Sequence, residues 1–151
     1  MRWAVVAVMM LASAGSASAQ CATRPADAEL LLSRPVGGSI VGEFGETWSD
    51  ALAKKVFNKG ILLETQPAEP VYAAASGTVV QSGPVSATAV VLIDHGGEVQ
   101  TLYSGLGSVS FRPGACVKAG EQIGTASTDT PFIHFELRKA GQPTDPTRLI
   151  Q

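Results

Sequence analysis

Metal-binding side chains are scarce in this chain. It holds two cysteines, Cys21 and Cys116, and two histidines, His95 and His134. Two cysteines so far apart in sequence cannot build a Cys/His zinc cluster. An excess of charge is lacking too. Once Arg2 leaves with the leader described below, 13 Asp and Glu remain against 10 Lys and Arg, a formal charge of −3. That excludes the basic footprint of a nucleic-acid or anionic-membrane binder. No segment is of low complexity, and the apolar run Glu29-Leu30-Leu31-Leu32 is too short for a coiled coil. The apolar run from Trp3 to Ala14 is too short, and too rich in small residues at its end, for a transmembrane helix.

What that run does fit is a leader. Met1-Arg2 is a short basic start, and Ala17-Ser18-Ala19 is a small-residue cleavage site. Residues 1–19 are therefore expected to be a signal peptide, leaving Gln20 at the new N-terminus. Gln20 directly before Cys21 argues against lipidation, since such sites take small residues there. The expected location is the periplasm of a bacterium. Residues 20–36 form an N-terminal tail, which reads as a brief helix or as a segment packed against the body. Residues 37–151 suit one small domain. In an oxidising compartment Cys21 and Cys116 are expected to pair and pin the tail to the body. The other reading is two free thiols.

From Gly37 onward, short runs of Val, Ile, Thr and Tyr are punctuated by Gly, Pro and Asp. Strands are predicted near Ser39–Phe44, Gly60–Leu63, Val71–Ala74, Gly77–Ser82, Ala89–Asp94, Val99–Tyr103, Cys116–Val117, Gln122–Ala126 and Phe132–Arg138. So many short strands mean an all-β fold. Two readings are open for Ser49–Phe57. With Ser49 as cap, Asp50 in the first turn and Trp48, Leu52 and Val56 at helical spacing, it reads as a short helix. Otherwise it is an irregular insertion loop. The last strand alternates: Ile133, Phe135 and Leu137 are assigned to the core, and Phe132, His134 and Glu136 to the outward face. His134 is thus the imidazole placed to do chemistry.

Several pieces, in order, carry a resemblance. They are Val41-Gly42-Glu43-Phe44-Gly45, Asn58-Lys59-Gly60-Ile61, Val71-Tyr72-Ala73-Ala74-Ala75-Ser76-Gly77-Thr78-Val79, and Ile93-Asp94-His95-Gly96-Gly97. Thr101-Leu102-Tyr103-Ser104-Gly105-Leu106, Val117-Lys118-Ala119-Gly120-Glu121-Gln122-Ile123-Gly124 and His134-Phe135-Glu136-Leu137-Arg138 follow, with Asp145-Pro146 after them. Together they resemble the LytM-type, lysostaphin-like zinc endopeptidase domain, which cuts peptidoglycan cross-bridges. The resemblance spans about Gly37 to Ile150. It implies a compact antiparallel β-sheet core of the LytM/lysostaphin-like (duplicated hybrid motif) type, with a groove across one sheet.

Active relatives hold zinc with a His-x-x-x-Asp strand and the second His of a His-x-His strand. The first His of that strand, and one in a Tyr-x-His-Leu segment, serve the water and the transition state. Here Asn58 and Leu62 stand at the ligand positions of the first strand, Gly105 follows Tyr103, and Phe132 replaces the first His of the last strand. Only His134 survives. A catalytic zinc needs about three protein ligands and an open position. One imidazole cannot supply that, so neither zinc nor hydrolysis is expected. His95, in a Gly-Gly turn, reads as structural.

The departures resemble the EnvC-like murein hydrolase activators, which share the Lys-Gly-Ile and the Phe-Glu-x-Arg-x-x-Gly end. Their non-catalytic domains bind a periplasmic N-acetylmuramoyl-L-alanine amidase and displace its autoinhibitory helix. Those activators also carry a long N-terminal coiled coil for recruitment to the division machinery, which the short tail before Gly37 does not supply. The implied partner is such an amidase or another cell-wall hydrolase, met by Asn58, Leu62, Glu64, Tyr103, Gly105, Phe132, His134 and Glu136. Leu62 and Phe132 make the groove floor more apolar and suited to a helix or peptide. Two other readings are a zinc endopeptidase with His134, Glu64 and Glu136 as non-standard ligands, and a peptidoglycan-binding module stacking sugars on Tyr103 and Phe132. A biotinyl or lipoyl carrier fold shares the short strands and glycine turns, but the export signal and motif order speak against it.

Overall fold

The computed structural model describes Cys21, Thr23 and residues 29–151. The expected signal peptide and Gln20 lie outside the described residues. Twelve strands follow one another: β1 (Ile40–Gly42), β2 (Gly45–Ser49), β3 (Lys54–Asn58), β4 (Ile61–Glu64), β5 (Pro70–Tyr72), β6 (Gly77–Val85), β7 (Thr88–Asp94), β8 (Val99–Val109), β9 (Cys116–Val117), β10 (Gln122–Ala126), β11 (Phe132–Lys139) and β12 (Gln142–Thr144). Among the described residues there is no α-helix, and so none long and apolar enough to cross a membrane.

The main sheet runs β1-β4-β11-β8-β7-β6-β9, with every pairing antiparallel. Its strands alternate because one face is buried. Phe135 lies opposite Ile61 on one side and Tyr103 on the other, and Tyr103 lies opposite Val91. All four are fully buried, forming a row across four strands. A second row joins Leu137, Thr101, Ile93 and Val79. Each large side chain so buried contributes about 1.5–3 kcal/mol.

β8 carries the chain from this sheet to a second pairing. Its first half pairs with β7 and β11, and its end pairs with β10, which also holds β5. The change occurs at a bulge: Ser104 pairs with Val90 and Leu106 with Ala89, so Gly105 has no partner on β7. Gly105 has φ +83°, a left-handed conformation that glycine adopts without strain. Val71, Leu106, Ile123 and Ala126 fill the space between the two parts.

The nine predicted strands all form, Cys116–Val117 and Gln122–Ala126 with the expected ends and the others with one or both ends shifted. The segment Ser49–Phe57 differs from both readings: it is neither helix nor irregular loop. Gly45–Ser49 and Lys54–Asn58 pair as a separate two-stranded ribbon. The local signal was real for one turn, since the Ser49 hydroxyl accepts from the Leu52 amide at 3.4 Å. Ala53 then enters the left-handed region at φ 50°, and the chain reverses. A helix would have needed one buried face, but Trp48 and Leu52 are each 60% exposed. β12 was also not foreseen. Ala140 and Gly141, both at positive φ, make a two-residue turn that sends Gln142–Thr144 back along β11, with Pro143 tolerated on the outer edge.

The described part of the tail, residues 29–36, is not helical and packs against the body. Leu30, Leu32 and Val36 are buried, and Leu32 bridges Ile150 in parallel. Its backbone also bonds to Ala74 and Gln151. Cys21 is joined to Cys116 of β9, closing a covalent loop across a separation of 95 residues. In the chain-entropy model such a loop stabilises by about 4 kcal/mol. The double variant C21S/C116S is expected to unfold at a lower urea concentration, short by about 3–5 kcal/mol, and to lose the wild type's sensitivity to a thiol reductant. Equal midpoints with and without the bond would contradict this.

Candidate functional site

The outward face of β11 gives the site its floor. His134 lies opposite Leu62 of β4 and Ser104 of β8, and Phe132 lies opposite Glu64. Asn58 ends β3 and reaches over this floor from the ribbon. Its Nδ2 donates to the Glu43 carbonyl at 2.9 Å. The other end of the amide, Oδ1, therefore faces the imidazole, 2.9 Å from His134 Nε2. An amide oxygen only accepts, so Nε2 carries the hydrogen and donates it. The Gly60 amide donates to the same Oδ1 at 3.4 Å. Where the resemblance puts a ligand pair around a metal, this chain makes a direct side-chain bond.

Glu136 corrects one expectation. It sits on the outward face of the strand, yet is only 6% exposed. Arg138 clamps it, with Nε and Nη2 donating to Glu136 Oε2 at 3.0 and 2.9 Å. Glu136 Oε1 lies 3.5 Å from His134 Nδ1. Space for this buried carboxylate comes from Gly60, where a Cβ would stand 2.9 Å from Glu136 Cγ and collide with the Phe135 carbonyl. Burial lowers the His134 pKa below its ordinary 6.5; Glu136 opposes that shift, and Arg138 adds to it. The ring is therefore neutral at pH 7, in keeping with one N–H given to Asn58.

Tyr103 also differs from its expected place on the groove wall. It is fully buried, tilted against Phe135 with ring centroids 5.2 Å apart. Its hydroxyl accepts from the Ala74 amide at 2.8 Å, and Thr101 Oγ1 lies 2.9 Å away. Burial pushes its phenol up to about 12. It cannot stack a sugar. His95 joins the same buried network, with Nε2 2.7 Å from Thr101 Oγ1 and Nδ1 bonded to the Ser76 carbonyl at 2.8 Å. Its part there is structural.

The structure thus brings Asn58, Leu62, His134 and Glu136 together. Gly105 sits at the bulge beside them, where a Cβ would stand 3.3 Å from the Phe132 carbonyl. Phe132 is half-buried at the rim and Glu64 is exposed. Ser104, Arg138 and Glu43 belong to the neighbourhood and were not foreseen. Ser104 is placed by strand register, which the sequence does not reveal. Arg138 could have been found, because it shares the face of His134 and Glu136 at period two.

These donors do not fit zinc. Leu62 offers no lone pair, and the Nε2 lone pair of His134 is replaced by a hydrogen held on Asn58. Glu64 faces Phe132 rather than His134. Among the described residues no group of three or more His, Cys, Asp or Glu could hold a metal ion.

Residues 56–146 match the family described as Peptidase family M23. The chain is 34% identical over 121 residues to a lipoprotein NlpD/LppB homolog of Pseudomonas aeruginosa, covering 77% of this chain and 38% of that protein. It is 27% identical over 121 residues to the murein hydrolase activator NlpD of Salmonella dublin, covering 77% of this chain and 30% of that one. Among solved structures, Helicobacter pylori Csd3 superposes with a TM-score of 0.71 at 24% identity, over 81% of this chain and 35% of that one, a likeness of fold.

Two measurements check the site. The unfolded chain protonates His134 near 6.5, while the folded chain resists until a lower pH. Between those values the unfolded state binds the extra proton, so this contribution is full above 6.5 and is lost as pH falls through the folded pKa. The ring resonances of His134 are expected to titrate below 6.5, and H134Q to flatten the fall in stability over that window. Separately, N58H/L62D is expected to bind one zinc ion per chain by metal analysis, where the wild type binds none. A titration at or above 6.5, or zinc in the wild type that is lost in H134A, would contradict this account.

Proposed function

Because this chain belongs to peptidase family M23, we propose that it is a non-catalytic member, exported to the bacterial envelope, that regulates a cell-wall hydrolase through the surface around His134. One observation carries the reading: Asn58 Oδ1 closes on His134 Nε2 at 2.9 Å, with Leu62 beside them. Hydrolysis by this family's chemistry needs a metal-activated water, and here the surviving ligand is neutral, hydrogen-bonded and flanked by an aliphatic side chain. What remains is a floor with an apolar strip, Leu62 and half-buried Phe132, bordered by polar Ser104 and His134. Such a strip accepts an amphipathic segment of a partner.

The relatives support the same direction, since one of them is a murein hydrolase activator. The chain spans about a third of the length of that protein and of the lipoprotein homolog, so their full activities are not transferred whole. The partner proposed is a periplasmic N-acetylmuramoyl-L-alanine amidase or a related cell-wall hydrolase.

The test is a reconstituted dye-release assay on purified peptidoglycan. The mature protein alone is expected to release nothing, with or without added zinc, and to stimulate a cognate periplasmic amidase. L62E and F132A are expected to lower that stimulation by about tenfold, the effect of losing a central apolar anchor. Cross-link cleavage by the protein alone would sink the reading, as would a failure to stimulate every amidase of the same envelope.

A further inference from the structure

The β2–β3 ribbon has two faces. Asn58 lies on the face that carries Thr47 and Val56, and that face turns toward the groove. The opposite face carries Glu46, Trp48, Lys55 and Phe57. Trp48 is 60% exposed and Phe57 56%, although a lone ribbon gains most from covering its aromatics. Phe57 is held edge-on by Phe44 with centroids 5.4 Å apart, so its ring is oriented, not loose. Between the aromatics, Lys55 Nζ and Glu46 Oε2 lie 3.8 Å apart, both highly exposed. Glu46, Trp48 and Lys55 of this face, with Thr47 of the other, line a hollow of about 130 Å³.

We propose that this outer face is a glycan-binding platform, with Trp48 and Phe57 stacking on sugar rings and Glu46 and Lys55 bonding their hydroxyl and acetamido groups. A second copy of the chain does not fit. A stable interface buries about 800 Å² on each partner, spread over some 20–30 residues, and this face offers four side chains. A lipid surface does not fit either. Glu46 and Asp50 balance Lys54 and Lys55, so the ribbon has no cationic excess for anionic headgroups. A docking helix needs a continuous apolar groove, and here a salt bridge splits the aromatics. A sugar chain presents what this face lacks a partner for: flat C–H faces edged by donors and acceptors. The exposed ion pair is weak and opens at little cost to meet them.

The choice of an N-acetylated glycan rests on the cell-wall reading above, but the platform is separate from the groove. The probe is therefore a β-1,4-linked N-acetylglucosamine tetramer, titrated into the mature protein and followed by Trp48 fluorescence and calorimetry. Saturable binding is expected, with W48A and F57A each weaker by about tenfold or more and W48Y close to wild type. Both positions are exposed, and thermal melts check that the variants fold. L62E is expected to bind the tetramer like wild type, and W48A to stimulate the amidase like wild type. No binding by wild type, or binding unaffected by W48A, would overturn the platform. So would Trp48-dependent self-association in sedimentation equilibrium, or Trp48-dependent binding to vesicles of phosphatidylethanolamine and phosphatidylglycerol without tetramer binding. If the tetramer binds but amidase stimulation is absent, the regulatory reading falls and the platform stands.

Discussion

β11 is clasped on both flanks, and most of what surrounds the groove depends on that clasp. Phe135 must meet Ile61 on one side and Tyr103 on the other. A slip of one residue would bring His134 into the core and expel Ile133, Phe135 and Leu137. The three apolar side chains are fully buried, so the register is strongly held. Holding it also sets Leu62 and Ser104 beside His134 on the other face. The groove floor is a by-product of how the core is built, and it persists whatever residues occupy it.

That persistence lets the floor carry Asn58 and Leu62 without loss of the fold. Two positively polarised groups, the His134 N–H and the Gly60 amide, converge on Asn58 Oδ1. The amide thus ties the ribbon to the sheet. It does so without a charge to desolvate, whereas an imidazolium here would oppose burial and Arg138 together. Glu136 is kept by the Arg138 clamp, which satisfies one carboxylate oxygen twice. Asn58, His134, Glu136 and Arg138 thus lie in one chain of close polar contacts.

The sequence was most legible where one physical rule dominated. Period-two alternation marked β11, because it buries one face against the core, and β-branched runs between turn residues marked the other predicted strands. Glycine and proline punctuation marked most turns, including Ala140-Gly141. The ribbon escaped notice because its largest apolar side chains, Trp48 and Phe57, stand on its exposed face, so hydrophobicity does not follow burial, while Ser49 mimicked a helix cap for a single turn. The resemblance named Asn58 and Leu62 as positions of zinc ligands in active relatives, and Gly105 and Phe132 as positions of their accompanying histidines. It could not show that Asn58 would bond His134, since that depends on how the ribbon folds over the sheet. Tyr103 was misplaced because strand register decides its face: it pairs with Phe135 on the inward side, and Ser104 pairs with His134 on the groove side.

The covalent loop between Cys21 and Cys116 has a consequence in time. Both cysteines precede β11 in the chain, as do both of the strands between which β11 inserts. For a chain emerging N-terminus first, the ring is chemically able to close while the centre of the main sheet is still empty. β11 lies between β4 and β8, and both of those strands fall within the ring. The strand that both seals the core and creates the groove floor thus lies outside the covalent loop, while the two strands that flank it lie inside.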